Sequence, residues 1–495
     1  MIHPDLDQFR ALAQQGTVVP VYREILADLE TPVTAYLKIA RGQTYSFLLE
    51  SVEHADSIGQ FSFLGANPTV IFCSKGTKVT LLRDGKETRT ESPDPLRMLR
   101  DLMADYRPVP VPGVPRFHGG AVGYMSYDQV RFFEKLPDDN PDTLNLPDLY
   151  FMITDTMVIF DHVNNKMKIV SNALVGDNPD AAYNEAVRKI DELERKLRGP
   201  LMVTTERMHS NTGEVEIESN FTREDFCAAV TKAKEYIAAG DIFQVVLSQR
   251  FHRPVCASPS NLYRALRCIN PSPYMVLMSF PDFALVGSSP EVMTTVKNGR
   301  VLVRPIAGTR KRGASPEEDA ALETDLMADE KERAEHIMLV DLGRNDVGRV
   351  SKPGTVAPVP NRLMIVERYS HVMHIVSEVA GDIKDDCDAF DALAATFPMG
   401  TVSGAPKIRA MQIIDELEPE RRGPYSGGAG YIAFDGSMDT CILIRTMVVK
   451  DGRAYLQAGA GIVYDSDPQG EYEETVNKAK ALFRAVEWAE RGLES

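Results

Sequence analysis

The sequence is narrowed first by what it has little of. Its six cysteines (Cys73, Cys227, Cys256, Cys268, Cys387, Cys441) stand far apart, with no Cys-x-x-Cys pair and no metal-finger spacing. Such a set fits reduced thiols in a cytosolic protein. No apolar run approaches the roughly eighteen residues of a membrane span. The opening stretch MIHPDLDQFRALAQQG is polar, without the apolar centre of a secretion signal. A cytoplasmic location and no membrane partner are therefore expected. Positive charge is also short: 55 Lys and Arg stand against 71 Asp and Glu, a formal net charge of -16. Nucleic acid and anionic membranes need a basic face, so neither is expected as a partner. A small anionic substrate needs only a local basic pocket. The sequence has no GxxxxGK[ST] loop, no Rossmann context around its GGAG, no GxSxG elbow and no Cys/His nucleophile pair. P-loop nucleotide binding and covalent catalysis lose their support accordingly. Repeats and low-complexity tracts are missing as well.

What remains is an ordinary globular composition, 43% hydrophobic and 25% charged, in a chain of 495 residues. That length suits about two to three domains, or one large composite one. Residues 1–200 read as a mixed, strand-dominated part. In it, Thr34 to Glu50 is expected as two strands about Arg41-Gly42, and Thr69 to Leu82 and Tyr150 to Val170 as further strand pairs. Asp84-Gly85 and Asn164-Asn165 supply turns. Ala182, Ala186, Ile190, Leu193 and Leu197 form a helical stripe. Residues 201–219 are polar and weakly periodic, a linker. The third part, 220–495, opens with a helix that Thr222 and Asp225 cap and Gly240 closes. Strands follow at Ile242 to Phe251, Tyr274 to Phe280, Ala284 to Gly287 and Val301 to Ile306. PIAGTR (Pro305 to Arg310) reads as a strand end and glycine turn. Ser315-Pro316-Glu317-Glu318 then starts one long acidic helix. Tyr369 to Ile383 is expected as one long strand carrying His371 and His374, and Thr440 to Lys450 as another carrying Arg445. The final helix is capped by Asp467.

Three groups of residues have the makings of chemistry. Glu332/Glu335 and Glu471/Glu474 are carboxylate pairs three apart on separate helices. They are either two solvated acidic faces or, if the helices meet, hard oxygen ligands suited to Mg²⁺. The glycine clusters PMGTVSGAPK, GPYSGGAGY and QAGAGIVYDS are either close-packing turns or backbone nests for a carboxylate, to which Arg445 could add a bidentate contact. His374, in an apolar stretch, is either a buried hydrogen-bonded side chain or a proton-transfer group.

PIAGTR, EHIMLVDLGRND, FPMGTVSGAPK, DTCILIRT and QAGAGIV, in that order, together resemble the chorismate-utilising enzymes, on their anthranilate-forming branch. LLES, SFLG and AGDIFQVVLSQR extend the resemblance over nearly the whole chain. It implies an α+β fold of two large stacked antiparallel β-sheets flanked by helices. It implies a lyase that converts chorismate and ammonia to anthranilate and pyruvate through 2-amino-2-deoxyisochorismate, in tryptophan biosynthesis. Mg²⁺ would be held by Glu335 and Glu474. Glu332, His374 and Thr401 fall at catalytic positions, with Glu332 as proton donor and His374 in the elimination. Gly308, Thr309, Tyr425, Arg445, Gly459, Ala460 and Gly461 fall where the family contacts substrate. Ser51, Pro273, Tyr274 and Met275 match its site for L-tryptophan, the feedback inhibitor, which makes 1–200 a regulatory part and 220–495 the catalytic one. Relatives that use an enzyme lysine carry it in PIKGT; alanine at 307 cannot act as base or nucleophile, which favours external ammonia over an aminodeoxychorismate synthase, the alternative reading. With no glutaminase signature in the chain, a separate glutamine amidotransferase subunit is implied, and with it a hetero-oligomer.

Overall fold

Several strands of this protein are buried along their whole length, Gly120–Met125, Leu149–Thr154 and Phe283–Ser289 among them. They read as unbroken apolar runs because both faces of their sheets are covered. In the computed structural model, which describes residues 1–51, 59–83, 85–202, 216–369 and 372–493, two such sheets dominate. One has 13 strands and the other 11, and every strand pairing in them is antiparallel. A shared core holds Phe47, Val276, Met278 and Leu285 of the first sheet against Tyr124, Tyr150, Met152 and Ala429 of the second, so the sheets stack face to face. Helices cover the two outer faces: Pro179–Arg198, Pro259–Ile269 and Pro468–Glu490 on the first, Pro95–Ala104, Glu330–Val350 and Ala389–Thr396 on the second. The α+β architecture expected from the sequence is the one observed.

Strands from before and after the 201–219 stretch lie side by side in both sheets. Leu48 pairs with Leu277 in the larger sheet, and Tyr124 with Ala429 in the smaller. Of the expected linker, 203–215 lies outside the described residues, as do Asp84 of the expected turn and His371.

A third, three-stranded sheet (Ile306–Lys311, Val372–Val376, Ile365–Arg368) packs with the helix Pro316–Ala328 around Leu326, Met373 and Ile375. It shows where local reading fails. Tyr369 to Ile383 is not one strand: Val372–Val376 belongs to this small sheet, while Val379–Asp382 joins the 11-stranded one. Thr440 to Lys450 likewise splits into Met438–Ile442 and Thr446–Lys450, in different large sheets, and Arg445 sits in the crossing with φ 49°. PIAGTR is a strand rather than a strand end. The acidic helix is two helices, broken at Asp329, which caps the second by accepting from the Lys331 and Glu332 N–H groups. Finally, Thr34 to Glu50 holds one strand, Ser46–Glu50; the segment before it is the helix Pro32–Ile39, started by a Thr31/Thr34 capping box.

Candidate active site

The geometry begins with one inserted residue. Opposite Val372–Val376, Ala307 pairs with Ile375 and Thr309 with His374, which leaves Gly308 as an unpaired bulge with φ 70°. A side chain there would be strained and would meet Leu326, the Glu332 carboxylate and Ile375 at 3.1–3.3 Å. The bulge carbonyl accepts a hydrogen bond from His374 Nδ1 at 2.9 Å, and the Thr309 hydroxyl lies 3.1 Å from the same nitrogen. A carbonyl can only accept, so Nδ1 carries the proton and Nε2 the lone pair. Burial pulls the His374 pKa down, with Arg445 adding to the effect and the Gly308 contact opposing it. The imidazole is thus neutral and available as a base.

On the other side of Gly308 stands Glu332, in the first turn of the helix Glu330–Val350. Burial raises its pKa and Arg310, 3.3 Å away, lowers it. One turn on, Glu335 accepts from Gln244 Nε2 at 3.0 Å. Gln244 begins the strand Gln244–Pro254, which pairs with Arg453–Ile462 and so lies beside Gly459, Ala460 and Gly461. A Cβ on Gly461 would meet Gln244 at 2.8 Å, and one on Gly459 would meet the Tyr425 hydroxyl at 2.6 Å. Lys478, from the last helix, donates to the Gly459 carbonyl at 2.9 Å and to Glu474 at 2.6 Å. Burial pushes up the pKa of Glu471, and Glu474 adds to it, while Ser466, Lys478 and Lys331 oppose.

Arg445 acts electrostatically on both His374 and Glu291. Glu291 was not anticipated from the sequence. Burial pushes its carboxyl up to about 8, opposed by the Thr401 hydroxyl and the Arg445 charge. Its Oε1, Thr401 Oγ1 and Gln244 Oε1 are all buried without a hydrogen bond of ordinary geometry. The signal was available: Glu291 is a charge set between apolar strand segments, in SSPEVM, and Gln244 is the polar residue in IFQVVL. Both lack a recurring pattern to draw attention to them.

A divalent metal needs hard oxygen donors close together. Among the described residues no three His, Cys, Asp or Glu side chains converge closely enough to hold an ion by themselves. Glu335 and Glu474 offer hard carboxylate oxygens, and Mg²⁺ is content with one or two carboxylates and several waters. The residues therefore fit Mg²⁺ bound by few protein oxygens, with solvent or substrate completing its shell.

The four residues expected to bind an inhibitor come together elsewhere. Ser51, Pro273, Tyr274 and Met275 all line one cavity of about 1110 Å³. Tyr274 donates to Asp439 at 2.7 Å, and Ser51 Oγ is buried without a partner. Arg304, Glu367 and Tyr369 also line the cavity, and the Tyr369 ring meets His374 edge-on at 5.5 Å.

Known proteins resemble this chain over nearly its whole length. A family model described as chorismate binding enzyme matches residues 45–484. Anthranilate synthase component 1 of Acetivibrio thermocellus is 48% identical over 494 residues, covering 99% of both chains. That of Aquifex aeolicus is 47% identical, again over 99% of each. The crystal structure of anthranilate synthase component I from Streptococcus pneumoniae superposes with a TM-score of 0.77 at 38% identity, covering 92% of this chain and 98% of that one. An isochorismate synthase from Escherichia coli, at 20% identity and a TM-score of 0.69, shares the fold. The chain belongs to the chorismate binding enzyme family, among its anthranilate synthase component 1 members.

Proposed function

We propose that this protein is the synthase subunit of an anthranilate synthase, a lyase that takes chorismate and ammonia to anthranilate and pyruvate. The observation that carries the reading is the grouping of Arg445 with His374 and with the buried carboxyl of Glu291, whose Oε1, like Thr401 Oγ1, has no hydrogen bond of ordinary geometry. Such a set lacks only a polar anionic ligand. Arg445 and the Gly459–Gly461 backbone hold the enolpyruvyl carboxylate of chorismate. Mg²⁺, when bound near Glu335 and Glu474, supplies a charge for the ring carboxylate.

Ammonia adds at ring C2, both ring double bonds shift (C1=C2 to C1=C6 and C5=C6 to C4=C5), and the C4 hydroxyl leaves as water once protonated. Two carboxyls are placed to give that proton. Glu332 is the one expected from family resemblance, and burial raises its pKa although Arg310 opposes this. Glu291 holds its proton at neutral pH and is the better donor. In the second stage His374 Nε2 takes the C2 proton as the C3–O bond breaks and pyruvate leaves, which makes the ring aromatic.

A glutamine amidotransferase subunit supplies the ammonia, making the working enzyme a hetero-oligomer, and L-tryptophan binds in the 1110 Å³ cavity as feedback inhibitor. The partner reading is checked by nitrogen source. The chain alone should turn over chorismate with ammonium but not with glutamine, and should gain glutamine use when the amidotransferase is added. Glutamine use by the chain alone would overturn it.

A further inference from the structure

Arg310 lies two residues beyond the Gly308 bulge, on the strand Ile306–Lys311. Its guanidinium is shared among three carboxylates from three places. Nε donates to Asp325 at 2.7 Å, at the end of the helix Pro316–Ala328. Nη2 donates to Asp329 at 2.8 Å, the break between the helices, and Nη1 to Glu332 at 3.3 Å, in the first turn after it. Nη1 also reaches the Thr309 carbonyl at 3.1 Å. The other Asp329 oxygen caps the Glu332 N–H at 3.1 Å, so Glu332 is fixed through both its backbone and its carboxylate. Its second oxygen faces Gly308.

We propose that Arg310 is a positioning residue that locks Glu332 and the helix break into one arrangement, and that its fixed charge opposes the divalent cation entering beside Glu335. This rests on the reading of Glu335 and Glu474 as Mg²⁺ ligands. Two properties of the side chain separate. The planar fork aims three donors in different directions, which a lysine ammonium cannot copy. The positive charge is common to both residues. Removing the charge favours the cation; removing the fork frees Glu332.

The test uses the full chain with Arg310→Gln and Arg310→Lys, each checked for wild-type circular dichroism. Mg²⁺ alone is titrated calorimetrically without substrate, and turnover of chorismate is measured at saturating Mg²⁺ and ammonium. R310Q is expected to bind Mg²⁺ roughly threefold to tenfold more tightly than wild type, from loss of a nearby like charge, and R310K about as wild type. Both are expected to lose kcat by about a hundredfold, the scale of a small misplacement at a reacting centre. A purely structural role would weaken Mg²⁺ binding and turnover together. If wild type binds Mg²⁺ but R310Q binds it no more tightly, or if R310K keeps full turnover, the proposal is overturned while the metal reading stands. If wild type binds no Mg²⁺, both fall.

Discussion

Glu291 and Gly308 set opposite demands on their surroundings. Glu291 needs a dry site to keep its proton, and burial raises its carboxyl from 4.5 to about 8. Below that value it can donate, so kcat/KM is expected to fall as pH rises through about 8, and Glu291→Gln to lose about 10²–10⁴ in kcat. Full activity of the variant would remove Glu291 from the mechanism. The same shift has a stability sign. Between pH 4.5 and about 8 the folded state holds a proton that the unfolded state releases, so this residue's contribution to stability declines as pH rises. Glu291→Gln cannot ionise and should therefore unfold at a higher temperature than wild type at pH 8.5, with the difference shrinking at pH 5. Gly308 instead needs space and a left-handed backbone. Gly308→Ala should cost about 1–2 kcal/mol in chemical denaturation from the backbone alone, and should lower turnover because the new methyl meets Glu332 and Ile375.

The break at Asp329 shows how an element is set by a single cap. Without it the helices Pro316–Ala328 and Glu330–Val350 read as one acidic run. Asp329→Ala should cost ~1 kcal/mol for the cap, seen as a shift in the urea midpoint, and should also weaken chorismate turnover through Glu332; an unchanged midpoint would contradict the capping role. The break was not legible because Asp329-Glu330 continues the helical spacing of charge, and the partner that fixes it, Arg310, is 19 positions away. Where capping and periodicity agree, as in Pro179–Arg198, Arg223–Ala239 and Pro468–Glu490, the sequence reading and the observed helices coincide. The split strands at 372–382 and 438–450 were hidden for another reason. Both halves are apolar and β-branched, and what parts them is assignment to different sheets, which no local window contains. Glu291 and Gln244 escaped notice because each is one polar residue in an apolar run, informative only beside Thr401 and Glu335.

At the level of the whole chain, strands from before and after residues 201–219 share sheets. Ser46–Glu50 pairs with Tyr274–Ser279, and Ser51 and Tyr274 line a cavity whose wall includes Tyr369, in contact with His374. A bulky group at Ser51 takes up part of that cavity. Ser51→Phe should shift the tryptophan inhibition curve to higher concentration by an order of magnitude or more, about 1.4 kcal/mol, with kcat kept; an unmoved curve would place the inhibitor elsewhere. The proposed activity is read directly from the product. The purified chain is incubated with chorismate, Mg²⁺ and ¹⁵N-ammonium, and the products are identified by mass and fluorescence. Fluorescent ¹⁵N-anthranilate is expected, with one pyruvate released per anthranilate formed; a 4-amino product, isochorismate, or chorismate left unconsumed would contradict the proposed activity.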